Sequence, residues 1–171
     1  MATFVGVSGV VAAGVLSVLT AVSIASRFGM SVLADTAGGK WSIGLALLVQ
    51  SSSIFLLFGA TDASSFYLFA ILFGIGYGGE MVAFPILNRQ YYGKAPTGAI
   101  YGFQIMGASV GMALGGWLGG VLYDATGAYT WTVIAAIAAG YLGLIATLSL
   151  AGRVRLPARR PSAQVEAESA L

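Results

Sequence analysis

The chain contains no cysteine and no histidine. Without cysteine there is no disulfide framework and no thiol chemistry. Without either residue the usual sulfur and nitrogen donors of a zinc site are missing, so no metal site is expected and no cofactor is implied. Charge is the second scarcity. Only 8% of residues are charged and 58% are hydrophobic, whereas a soluble domain carries roughly 25% charged residues. Eight Lys and Arg and six Asp and Glu are too few to cover a water-facing surface. They also form no basic patch with polar surroundings, so no nucleic-acid partner is expected.

What is present is apolar sequence in long runs. A hydrocarbon core of about 30 Å needs about 20 helical residues. Five stretches reach that length, at about 4–30, 42–60, 66–87, 98–123 and 129–150. The predicted fold is therefore all-α, a polytopic transmembrane helix bundle of five spans in a lipid bilayer. Residues 151–171 are basic, then acidic, with Pro157 and Pro161, and read as a disordered tail. Trp41, Tyr91, Tyr92, Tyr123, Tyr129 and Trp131 fall at span ends, where aromatic belts lie.

Threaded through a membrane five times, the chain puts every basic residue toward one face. These are Arg27, Lys40, Arg89, Lys94, Arg153, Arg155, Arg159 and Arg160. The opposite face receives only Asp62 and Asp124. Cytoplasmic loops carry the excess of Lys and Arg. The expected location is the cell or inner membrane, with the C-terminus cytoplasmic and Met1 outside.

Two charges lie within the spans. Arg27 stands eight residues before Asp35, about 12 Å deeper along the helix. A charge at that depth costs a few kcal/mol unless it faces protein or water. Arg27 reads either as an anion-binding cation, its guanidinium holding a carboxylate through two parallel hydrogen bonds, or as a snorkelling or gating arginine paired with Asp35 or a helix C-terminus. Glu80 falls near the middle of the third stretch, after Gly78 and Gly79. A carboxyl buried there lines a cavity or carries a proton, since desolvation disfavours its charge; the plainer reading is a structural acid bonded to neighbouring helices. Gln50 to Ser53 and Gln104 should face the bundle.

Glycine is abundant, with 25 residues. Gly107, Gly111, Gly115 and Gly119 form an i, i+4 ladder, the spacing that lets two membrane helices approach closely. Gly74, Gly76, Gly78, Gly79 and Pro85 either loosen the third span where freed backbone groups line a cavity or, for the glycines, serve ordinary close packing. The pattern VLxDxxG occurs twice, at 32–38 and at 121–127, three spans apart. That odd offset is what an inverted repeat of three plus three helices produces.

Two catalytic matches fail on context. Gly74-x-Gly76-x-x-Gly79 fits a dinucleotide fingerprint but lies inside an apolar span with no preceding strand. Gly6-Val7-Ser8-Gly9 is similar to an intramembrane serine protease site, but the chain offers no histidine as base. No enzyme is expected.

Three longer pieces are more telling: RFGMSVLADTAGGKW, FGIGYGGEMVAFPILNRQYYG, and GxxxGxxLGGWLGGVLYDATGAYTW from Gly107. Over residues 15–150 the chain resembles the C-terminal half of a major facilitator superfamily transporter, helices eight to twelve, and within it the monocarboxylate and oxalate/formate branch. The resemblance implies that Arg27 binds the carboxylate of a small organic anion, that Glu80 lines the cavity or couples a proton, and that Asp35 and Lys40 belong to an inter-bundle gating motif. Its transport would be coupled to a proton or a counter-anion. The family often carries an acid where this chain has Ser23. The family has twelve helices, so the resemblance also implies a truncated chain needing the N-terminal half or another membrane subunit for activity. The alternatives are a five-helix assembly or structural subunit and a non-functional truncated copy.

Overall fold

A computed structural model describes residues 8–93 and 97–150. The expected tail at 151–171, the outer placement of Met1, the first residues of the first expected span, and Lys94 lie outside the described residues. Among the described residues the fold is an all-α bundle of five helices: α1 Gly9–Ala37, α2 Gly39–Ser53, α3 Ala63–Tyr92, α4 Thr97–Thr126 and α5 Thr130–Ser149. A 3-10 turn, Ile54–Phe58, extends α2, giving a span of 20 residues over Gly39–Phe58. All five are long and apolar enough to cross a bilayer. Their outward faces carry large apolar side chains such as Phe28, Phe103, Trp117 and Leu142, which is how a bundle solvated by lipid covers itself.

Local chemistry sets the ends. Ser8 caps α1, its hydroxyl accepting from the Val11 amide at 3.4 Å. Asp62 caps α3, accepting from the Ser65 amide at 3.3 Å and from the hydroxyls of Ser64 and Ser65. Those bonds, first from Ser64 and then from Ser65, hold its carboxyl below the ordinary carboxylate range. Both VLxDxxG copies end a helix. The closing glycines, Gly38 (φ 93°) and Gly127 (φ 68°), take positive φ, which costs glycine nothing and other residues strain.

Helix α3 is the hub, packed on α1, α2 and α4. Small residues allow it. A Cβ on Gly74 would fall 2.8 Å from the Leu19 carbonyl oxygen of α1, and one on Gly78 would collide with Ser23 and Ser26. On another face, a Cβ on Gly76 would fall 2.6 Å from the Ala46 carbonyl oxygen of α2. Ser26 donates back across the first of these seams to the Gly74 carbonyl at 3.4 Å. The expected loosening of α3 does not appear: the helix runs unbroken through Pro85. Its glycines serve close approach, and Pro85 removes only the amide that would have bonded the Met81 carbonyl.

At one side of the bundle the ends of α1, α3 and α5 gather with the start of α2. The Gly39 amide donates to Gln90 Oε1 at 2.9 Å, and Lys40 Nζ donates to the Leu150 carbonyl at 2.7 Å. The Cβ of any residue replacing Gly39 would lie 2.9 Å from Leu87 Cα.

The packing generates a contrast. Gly78→Leu is expected to destabilise the bundle by about 1–3 kcal/mol, the usual cost of overpacking. Gly111→Leu, where a Cβ meets open space, should change stability by no more than about 0.5 kcal/mol. Unfolding of the two variants in lipid-detergent micelles, followed by circular dichroism, checks both.

Candidate functional site

One cavity of about 250 Å³ opens between α2, α3 and α4. Gln50 enters from α2, and Tyr77, Glu80, Met81 and Phe84 from α3. The α4 wall is Tyr101, Gln104, Ile105, Ala108 and Met112. Both long walls have helical spacing: positions 77, 80, 81 and 84 form one stripe, and 101, 104, 105, 108 and 112 another, so each set shares a face. Gln50 is brought to this cavity by Gly76. A Cβ there would sit 2.9 Å from the Gln50 amide nitrogen, so only glycine lets α2 come this close.

The polar groups divide into satisfied and unsatisfied. Gln104 pairs reciprocally with Asn88: Asn88 Nδ2 donates to Gln104 Oε1 at 2.8 Å, and Gln104 Nε2 donates to Asn88 Oδ1 at 3.1 Å. Asn88 is buried, and this two-way bond meets its needs while tying α4 to α3. Gln50 Oε1 and Glu80 Oε1 are different. Both are buried, and no donor among the described residues reaches either. Leaving such acceptors unmade is costly in a low-dielectric interior.

The sequence-derived site residues do not all converge here. Glu80 lines the cavity. Arg27 lies on α1, exposed, and makes no hydrogen bond or ion pair with another described residue. Asp35 is exposed near the end of α1, without a bond to Arg27. Lys40 binds the end of α5 rather than Asp35. The glycine ladder faces open space at Gly107, Gly111 and Gly115; only Gly119 meets a neighbour, with a Cβ 3.3 Å from Thr132 Cγ2. Of the polar run on α2, Ser51 and Ser53 are buried, and the hydroxyl of Ser52, exposed, bonds that of Tyr141 at 3.1 Å. Asn88 and the two cavity tyrosines were missed by residue-type reasoning. The stripe spacing on the third and fourth spans was the available signal.

The family model of the Major Facilitator Superfamily matches residues 1–171. The chain belongs to the Major Facilitator Superfamily, and is a multi-pass membrane transporter protein rather than an enzyme. Its partners are accordingly a lipid bilayer and a transported solute. Searches of curated proteins and of solved structures returned no match.

The amide pair gives a direct test of what docks α4. Gln104→Leu and Asn88→Leu should each cost about 1 kcal/mol or somewhat more, the scale of interhelical hydrogen bonds in membranes. The double variant should lose less than the sum, because neither amide is then stranded. A double-mutant cycle of unfolding free energies reads the coupling; strict additivity would show that the pair contributes nothing.

Proposed function

We propose that the chain is the C-terminal part of a secondary active transporter for small organic anions of monocarboxylate type, working by alternating access. Arg27 carries this reading. It is a guanidinium within a membrane-spanning helix, with no acidic partner among the described residues. A permanent charge retained at such depth needs a use that offsets its cost, and a planar fork of donors matches a carboxylate. In an alternating-access carrier two bundles rock about a site between them. The other wall would come from an N-terminal half or another membrane subunit, and Asp35 and Lys40 would act at the inner gate between bundles. Glu80 would line the path or carry a coupled proton, with counter-anion exchange as the other coupling. The face bearing Lys40 and Arg89 would be cytoplasmic, in the cell or inner membrane.

A second reading has its own support. The bare ladder Gly107, Gly111 and Gly115 on α4 suits an assembly subunit that packs this helix against a partner.

The two separate in one set of variants. In the full-length form, Arg27→Ala should lower uptake of radiolabelled short-chain carboxylates at least about tenfold, the loss of one charge-assisted bidentate contact, with membrane levels unchanged. Arg27→Lys should recover only part. Under the assembly reading Arg27→Ala is silent, and Gly111→Leu or Gly115→Leu instead breaks a complex seen in crosslinking.

A further inference from the structure

The cavity between α2, α3 and α4 differs in sign from the Arg27 site, and the difference points to a second kind of ligand. Among the described residues its walls hold one carboxyl, from Glu80, and no Lys or Arg. On two of the lining residues an acceptor oxygen, Glu80 Oε1 and Gln50 Oε1, is buried and has no donor among the described residues. The remaining amide, Gln104, is occupied in both directions by Asn88, so it cannot turn to serve them at no cost. Among the described lining residues the donors are neutral ones, the Gln50 amide and the Tyr77 and Tyr101 hydroxyls, and none is a cation to balance Glu80.

Its apolar part is aromatic. Tyr77, Phe84 and Tyr101 line the same space, and aromatic faces attract cations, more strongly where water is excluded. A single water needs only about 10–15 Å³ of such volume, so about 250 Å³ is large enough for a small organic molecule rather than one solvent molecule.

We propose that this cavity is a binding site for a small organic monocation, a primary ammonium on an aromatic or short aliphatic body. The ammonium pairs with the Glu80 carboxylate and the Gln50 side-chain carbonyl, which turn to meet it, and the apolar body lies against Tyr77, Phe84 and Tyr101. An anion is disfavoured by the same carboxylate. The site does not depend on anion recognition at Arg27, which lies on α1 and does not line this cavity.

The test uses the whole chain in lipid nanodiscs and three probes of nearly one shape: benzylammonium, benzyl alcohol and benzoate. Binding is read by titration calorimetry, so it needs no transport and survives failure of the anion-carrier reading. Benzylammonium should bind at least about tenfold more tightly than either of the others, the scale of one charge-assisted contact. Glu80→Gln should abolish that preference, and Gln50→Leu should weaken it. A parallel measurement leaves the chain unmutated: modification of Glu80 by dicyclohexylcarbodiimide, followed by mass spectrometry, should be slowed by benzylammonium and not by benzoate. Equal binding of all three probes would reduce the cavity to an apolar sink and overturn the proposal. So would a preference for benzoate, or carbodiimide labelling indifferent to benzylammonium. If Glu80→Gln does not fold, the labelling result decides.

Discussion

The close approach of α3 to α1 and α2 is the constraint on which the rest of the bundle depends. In lipid there is no hydrophobic drive between helices, so association comes from packing and interhelical hydrogen bonds. Glycines at 74 and 78 bring α3 onto the α1 backbone, and glycines at 76 and 79 bring it onto α2 and Met30. Two seams on different faces of one helix fix its rotation. That rotation decides which α3 side chains remain between the seams, and Tyr77, Glu80 and Phe84 are the ones that do. Gly76 acts twice, since the contact that seats α2 also delivers Gln50 to the cavity.

Much of this was legible in residues. Five apolar runs predicted five spans, because length against bilayer thickness leaves little choice. The ends were less exact. The first span was expected over about 4–30, with the turn at Gly38 and Gly39; α1 runs to Ala37 and ends where Gly38 supplies a positive φ. The VLxDxxG repeat held that information as a stop signal at both places. The glycines were harder. A ladder at i, i+4 looks like a packing face wherever it occurs, yet the helix carrying the longest ladder has the fewest neighbours, while the less regular set on α3 makes the tight seams. Spacing shows that a face is flat. It does not show that another helix lies on it.

The polar residues illustrate the same limit. Glu80 stands out in sequence because a carboxyl in an apolar run is costly. Gln50 and Asn88 do not, because amides in membrane helices commonly bond a neighbour. Which of them is satisfied depends on a partner from another span: Asn88 meets Gln104, sixteen residues away, and Gln50 Oε1 meets no donor among the described residues. No local pattern distinguishes those outcomes.

The unequal docking of the helices bears on how such a bundle moves. Shifting α3 against α1 or α2 means forcing backbone past backbone at contacts where even one added carbon collides, an overpacking cost of about 1–3 kcal/mol at each place. Helix α4 has no such seam. No residue of its described part is buried. Its named polar ties are the amide pair with Asn88 and the Thr132 hydroxyl donating to the Gly119 carbonyl at 3.4 Å, and interhelical bonds of this kind in membranes average only about 0.6 kcal/mol. A displacement within the bundle therefore costs least at α4, while α1, α2 and α3 stay together. Because α4 forms a whole wall of the cavity, its movement would open or close the space beside Glu80 without disturbing the seams that hold Glu80 and Gln50 in place.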